Sequence, residues 1–198
     1  AIEKVKSLKD IDLIAEDLGY FTTFSMVYPF ETAAYSTEVG SMSKPVRTRF
    51  GYHVIFVRDK RPARGEIRVS HLFIRSNSEM SDEQRVDANA RINEVYQQIK
   101  NGGDYETLVK QYSEDRASAS KGGNLPWFGT GGTASTFEDA AFNLKRAGDI
   151  SEPVLSSFGW HIIRKEDARP VGMFEELESS LKKKIEKDSR SLKGRTSL

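Results

Sequence analysis

The residues of this 198-residue chain that can shift a proton or hold a metal are few and grouped. There are three histidines, His53, His71 and His161, and no cysteine. Without thiols, disulfides, thiolate nucleophiles and cysteine-based zinc sites are excluded. The histidines lack the His-x-His or His-x₃-His spacing that seats two imidazoles on one ion, so zinc is not expected. No G-x-S-x-G stretch sets a serine on a strand-to-helix turn, so a Ser-His-Asp hydrolase is not expected either. Hydrogen-bond chemistry remains. His53 and His161 each end a Phe-Gly-aromatic-His run, at 50–53 and 158–161, and His71 lies within the apolar stretch 67–74. Asp115 lies in the polar segment 113–123 (SEDRASASKGG). A strand histidine is ordinarily a satisfied core group. The equivalent placement of two of them argues for more.

That equivalence belongs to a larger pattern. Residues 17–21 (DLGYF) return as 124–128 (NLPWF), 30–35 (FETAAY) as 137–142 (FEDAAF), and 43–55 (SKPVRTRFGYHVI) as 151–163 (SEPVLSSFGWHII). Arg61-Pro62 and Arg169-Pro170 follow the two copies. The offset is 107 residues early and 108 late, which places one inserted residue near Arg146. A period of about 100 residues is the size of a small domain, not of a solenoid repeat. The chain therefore reads as a tandem pair of homologous modules.

The second copy is complete. A strand is expected over 67–74, with Ile67, Val69, His71 and Phe73 on one face. Ser81 and Gln84 form a capping box ahead of a helix carrying Ile92, Val95, Tyr96 and Ile99, ended by Gly102-Gly103. Asp104 caps a short helix with Tyr105, Leu108, Val109 and Tyr112 inward. The segment 113–123 reads as loop, 125–128 as a short strand, and 129–135 as a mobile Gly/Thr/Ser connection. A third helix, opened by Ser135 or Thr136, carries Phe137, Ala140, Ala141 and Leu144. After a turn at Gly148-Asp149 come strands at 154–155 and 160–165. The order β-α-α-β-α-β-β gives an α+β domain, with helices around a four-stranded antiparallel sheet. The first copy has no counterpart of 67–74. Residues 1–9 read as the end of its first helix, 10–15 (DIDLIA) parallel 104–109 (DYETLV), and Glu16-Asp17-Leu18 follow at once. We expect a partial first domain over 1–64, a complete second over 65–170, and a charged helical extension over 171–198. In the extension Phe174, Leu177, Leu181 and Ile185 recur near helical spacing, either to pack on a neighbouring element or as a solvated helix. The chain reads as a piece of a longer protein.

Bulk composition limits the partners. With 37% apolar and 30% charged residues the chain fits globular domains with small cores. A net charge of +1 supplies no field for nucleic acid or anionic lipid, and no apolar run of 18 residues offers a membrane span.

The second copy resembles the parvulin-type peptidyl-prolyl cis/trans isomerases. The resemblance rests on Ser70-His71-Leu72, Tyr112-Ser113-Glu114-Asp115, Gly122-Gly123-Asn124-Leu125 with Trp127-Phe128-Gly129, Phe137-Glu138-Asp139-Ala140-Ala141-Phe142, Ser151-Glu152-Pro153-Val154, and Phe158-Gly159-Trp160-His161-Ile162-Ile163. These run in the family's order through residues 67–166. Residues 1–58 resemble the C-terminal part of the same family, and the tandem arrangement is similar to that of extracytoplasmic folding factors of the SurA type.

The resemblance implies catalysis of Xaa-Pro bond rotation without nucleophile, metal or cofactor. It implies a proline pocket of Leu125, Thr133 and Phe137 and a polar rim of His71, Asp115, Ser156 and His161. The histidines form a hydrogen-bonded pair in the family, Ser156 extends it, and Asp115 takes an electrostatic role. A possible second site in the first copy comprises Met26, Phe30, Thr48 and His53. Trp127 and Phe128 are expected in the core. Thr133 departs from the family's long apolar side chain, which loosens the grip on proline, and Pro126 replaces a common glycine. Arg75 has no basic cluster beside it, so phosphorylated Ser/Thr-Pro is not the expected substrate. The implied partners are unfolded or proline-containing polypeptides, outer-membrane clients among them, in the periplasm or another extracytoplasmic space. Thr133 favours an alternative, a non-catalytic chaperone gripping chains in aromatic grooves and along sheet edges. The His71–Asp115–His161 set favours the enzyme.

Overall fold

Strand β3 (Glu66–Arg75) is the axis of the second copy, and it is buried on both faces. The computed structural model describes residues 14–188. The expectations for residues 1–9, for most of 10–15 and for 189–198 lie outside that range. In the first copy helix α1 (Tyr28–Ser36) precedes the antiparallel pair β1 (Val46–Thr48) and β2 (Gly51–His53). In the second, β3 leads to α2 (Asp82–Lys100), α3 (Tyr105–Tyr112), α4 (Arg116–Ala119), β4 (Phe128–Gly129), α5 (Ser135–Asn143), β5 (Val154–Leu155) and β6 (Gly159–Arg169). Helix α6 (Phe174–Lys187) follows. The sheet order is β4-β3-β6-β5, with every pair antiparallel. This is the α+β arrangement expected.

The alternation of β3 divides two apolar clusters. Leu72 and Ile74, with Ile162 of β6, pack under α2 and α3 against Ile92, Val95, Leu108 and Val109. Ile67 and Val69, with Ile163, pack on the opposite face against Phe137 and Ala141 of α5. Each fully buried aliphatic side chain here contributes roughly 1.5–3 kcal/mol. The Tyr105 hydroxyl donates to the Ser70 and Ile162 carbonyls at 3.2 and 3.1 Å, tying α3 to both central strands. Between Arg68↔Asp167 and Val69↔Lys165 the register slips, leaving Glu166 as the extra residue of a bulge. Its carboxylate accepts from the Ser70 hydroxyl at 2.6 Å and from Arg164 at 2.8 Å.

Both expected caps form. Ser81 and Gln84 exchange hydrogen bonds in a capping box, and Asp104 accepts from the Thr107 amide. Other details differ. Segment 113–123 is not all loop: Asp115 accepts from the Ala117 amide and starts α4, a turn too short to show helical periodicity. Neither Ser135 nor Thr136 caps α5, whose N-cap is Ala134. The short strand is 128–129 rather than 125–128, and the last strand runs on to Arg169. Phe128 packs on the α5-side cluster, whereas Trp127 lies under the guanidinium groups of Arg68 and Arg169, outside both clusters. Those two cations lie 5.5 and 4.6 Å from its ring centroid, within cation–π reach. The α6 stripe is exposed at Phe174 and Ile185.

The copies differ most in what covers them. Val54 is 60% exposed, while its counterpart Ile162 is 0% exposed beneath α2 and α3. No counterpart of β3, α2 or α3 stands beside the first copy among the described residues.

Two adjacent glycines give a test of backbone constraint. Gly122 and Gly123 both take left-handed φ, +69° and +79°. A Cβ on Gly122 would meet only the flexible Glu106 side chain, at 3.4 Å, but one on Gly123 would lie 2.2 Å from the His71 carbonyl oxygen. Gly122→Ala is therefore expected to cost about 1 kcal/mol of conformational strain, and Gly123→Ala well over 2 kcal/mol. Urea unfolding of the two variants checks this, and equal costs would contradict it.

Candidate active site

Antiparallel pairing of β3 with β6 sets Phe73 opposite His161 and His71 opposite Ile163. Residues on neighbouring strands and one face of a sheet lie within side-chain reach, so the two histidines meet although they are far apart in sequence. His71 Nδ1 is 3.2 Å from His161 Nδ1, and the rings are nearly parallel with centroids 5.4 Å apart. His161 Nε2 is 2.8 Å from Ser156 Oγ, and His71 Nε2 is 2.9 Å from Asp115 Oδ2. Both histidines and Ser156 are buried.

The direction of each hydrogen bond follows from valence. An ionised Asp115 only accepts, so His71 Nε2 must carry a proton. Neutral His71 then has an accepting Nδ1, to which His161 Nδ1–H donates a hydrogen bond. That leaves His161 Nε2 as acceptor for the Ser156 hydroxyl. The chain runs one way, Ser156 → His161 → His71 → Asp115, with every ring nitrogen partnered. The Ser156 oxygen itself accepts from the Phe158 amide at 3.1 Å.

The electrostatics agree with neutral rings. Burial lowers the His71 pKa, opposed in part by Asp115. Burial, then the neighbouring His71, push His161 down to about 3. At Asp115 burial acts to raise the carboxyl, but hydrogen bonds from Ser118 and His71 outweigh it and hold it below the usual range.

Phe137, from the first turn of α5, covers this chain edge-on, 4.9 Å from the His161 ring and 5.8 Å from His71. Leu125 is half-buried against the same cluster, its amide donating to the Val69 carbonyl. Thr133 is exposed on the loop 130–134, apart from the polar chain. The structure thus joins His71, Asp115, Ser156 and His161 in one hydrogen-bonded line, with Phe137 packed over it.

Three further residues belong to this arrangement. Phe73 stacks on His71 at 6.1 Å and lies tilted against His161 at 5.0 Å; its period-2 spacing from His71 was the available signal. Ser118 donates its hydroxyl to Asp115, a bond that requires the turn of α4. Glu138, only 4% exposed, accepts from the Gly131 amide at 2.7 Å and anchors the loop bearing Thr133. The repetition of Phe-Glu in both copies marked it.

The first copy repeats half of the geometry. Thr48 Oγ1 is 2.7 Å from His53 Nε2, and Phe30 stands edge-on to His53 at 5.3 Å. Glu31 is buried and accepts from the Phe24 amide at 2.7 Å, as Glu138 does from Gly131. Met26 is half-buried just before α1.

The PPIC-type PPIASE domain matches this chain over residues 71–167 and again over residues 14–61. The chain belongs to the PPIC-type peptidyl-prolyl isomerase family. It is similar to Chaperone SurA of Saccharophagus degradans, with 32% identity over 164 residues, 81% of this chain and 37% of the relative. It is also similar to Foldase protein PrsA 3 of Bacillus anthracis, with 38% identity over 121 residues, 61% of this chain and 38% of the relative. A crystal structure of the peptidylprolyl isomerase PrsA from Bacillus cereus superposes with a TM-score of 0.50 at 35% identity, covering 63% of this chain and 43% of that one. The chain thus spans under two-fifths of the length of these two curated relatives.

The neutral histidines predict a pH dependence. In the unfolded chain a histidine protonates near pH 6.5, whereas folded His161 resists down to about 3. Below pH 6.5 the unfolded state binds the extra proton, so stability present at pH 7 is lost as pH falls. The depressed Asp115 carboxyl adds its own loss only below about pH 4. Unfolding at pH 5 should therefore cost ~1–3 kcal/mol less than at pH 7. A His71→Gln/His161→Gln double variant should flatten that slope, and a pH-independent parent would refute neutral burial.

Proposed function

We propose that residues 65–170 form a prolyl cis/trans isomerase domain, with 1–64 a partial second domain of the same kind and 171–198 a helical extension. The directional Ser156–His161–His71–Asp115 chain beneath Phe137, inside the matched family segment, carries this reading.

The reaction asks little covalent chemistry. The prolyl bond must turn through a barrier of roughly 18–20 kcal/mol set by amide resonance. Resonance places negative charge on the carbonyl oxygen and positive charge on nitrogen, and twisting the bond returns both. An ionised carboxylate beside that oxygen disfavours the planar, charge-separated amide relative to the twisted one, and only such differential stabilisation speeds the reaction. Asp115 is held ionised by Ser118 and His71 and is 26% exposed, enough to meet a bound chain. In this mechanism Phe137 and Leu125 hold the proline ring and exclude water, and Thr133 closes the pocket loosely. His71 and His161 fix Asp115 and the floor, staying neutral so that they do not cancel its charge. Met26, Phe30, Thr48 and His53 form a second peptide site of the same design.

The proposed substrates are unfolded polypeptides rich in Xaa-Pro bonds, outer-membrane proteins among them, in the periplasm or another extracytoplasmic compartment. The names of the relatives, a chaperone and a foldase, support polypeptides as the substrate class. No helix among the described residues is long and apolar enough to cross a membrane. A second reading, chaperone binding without catalysis, is favoured by the exposed Phe50, Tyr52, Val54 and Phe56 of the first copy.

A proline-limited peptide assay on the whole chain separates the two. The parent should accelerate isomerisation, and Asp115→Asn should lower kcat/KM about tenfold or more, over 1.4 kcal/mol of transition-state stabilisation. Peptide affinity should change less than about twofold in that variant. Peptide binding without acceleration by the parent would favour the chaperone.

A further inference from the structure

The segment between the two copies pairs with helix α5 of the second. Arg64 Nη2 donates to Glu138 Oε1 at 2.6 Å and lies 3.0 Å from Asp139, with its guanidinium 4.3 Å from the Phe142 ring centroid. Arg61 lies 3.5 Å from both carboxylates and stacks 3.8 Å from the ring centroid of Tyr20, in the first copy. The Glu138 side chain is 5% exposed, and those of Arg61 and Arg64 are 25% and 19% exposed. Arg64 Nε is buried without a hydrogen-bond partner, a desolvation cost that a surface pair would not carry. The other Glu138 oxygen, Oε2, accepts from the Gly131 amide. One carboxylate therefore joins the arginines to the loop 130–134 that carries Thr133.

The first copy also lies close to that loop and to the first residue of α5. A Cβ built on Gly131 would lie 3.8 Å from the Tyr20 carbonyl oxygen, and one on Gly19 would lie 3.9 Å from Ser135 Cβ. Gly131 takes φ +80°, a conformation that glycine adopts freely among others, so the position of the loop is set by its contacts rather than by a restricted backbone.

We infer that Arg61 and Arg64 are positioning residues for the proline pocket: acting through Glu138, they hold the loop 130–134 in place, so that seating of the first copy sets the substrate affinity of the second. This rests on the proposed isomerase site. Without the arginines, Glu138 is a buried carboxylate with no cation opposite Oε1. It turns toward water, and the Gly131 amide loses its charged acceptor. The Ser156–His161–His71–Asp115 chain contacts neither arginine. Substrate grip should change while the bond-rotating groups stay in place.

The test uses the whole chain carrying Arg61→Ala/Arg64→Ala, beside Arg61→Lys/Arg64→Lys and Glu138→Gln. The double alanine variant should raise KM and peptide Kd roughly three- to tenfold with kcat within about twofold. It should also speed hydrogen exchange at the Gly131 amide at least about tenfold, while exchange at Ile162 and Ile163 in the core stays protected. The lysine variant keeps the charge but not the fork, and should recover part of the affinity. Glu138→Gln keeps an acceptor for Gly131 but loses the ion pairs, and should fall between parent and double alanine. Unchanged Gly131 exchange in the double alanine variant would overturn the inference. So would faster exchange with unchanged KM, because the loop would then be free without consequence for binding. A parent with no isomerase activity but a measurable peptide Kd would refute the isomerase reading alone, and the Kd and exchange data would still decide the positioning role. A parent that neither catalyses nor binds peptide would overturn both.

Discussion

Two uncharged imidazoles share the interior of this protein, and each has one donor and one acceptor that must be met there. Burial makes an unmet partner costly, and it makes a proton on either ring costly too. Few arrangements satisfy four ring nitrogens without charge. The one found runs from a hydroxyl through both rings to a carboxylate. Ser156 must stand on a turn that lets its oxygen receive the Phe158 amide, Asp115 must head a helical turn, and β3 must pair with β6 in one register. A shift of one residue would turn His161 to the opposite face. The fold around the site is largely the means of holding that line.

The duplication gives an internal measure of what each part contributes. The aromatic packing of Phe128 on Phe137 and Phe142 reappears as Phe21 on Phe30 and Tyr35, at nearly the same spacings. The exit arginines stack on equivalent aromatics, Arg61 on Tyr20 and Arg169 on Trp127. The hydroxyl–histidine contact joins residues five apart in sequence and survives in both copies. What the first copy lacks among the described residues is non-local: a strand to bring a second histidine, and helices to cover Val54.

The same division explains what could be read from the sequence. Period-2 alternation in β3 and the caps at Ser81 and Asp104 are written in consecutive residues, and the structure follows them. The repeat exposed Glu138 as a recurring residue but not its task, because its partner Arg64 is distant in sequence and the Gly131 bond is to a backbone amide that carries no side-chain signal. Helix α4 escaped notice because four residues hold little more than one turn of pattern. Trp127 looked apolar enough for the core, yet Arg68 and Arg169 lie over its ring instead. Asp115 was marked by the family resemblance, while its pairing with Ser118 and His71 needed coordinates.

His71 and His161 are 90 residues apart, on the first and last long strands of one sheet. A chain made from its N-terminus therefore releases β3, apolar on both faces and unpaired on both edges, long before β6 exists to cover it. Nothing local can stand in, because the β3–β6 ladder is the domain's most distant pairing, and such pairings form late and slowly. Until then β3 is the kind of bare strand that joins to others of its kind. By its own topology, the domain begins life in need of the shelter that holders of unfinished chains provide.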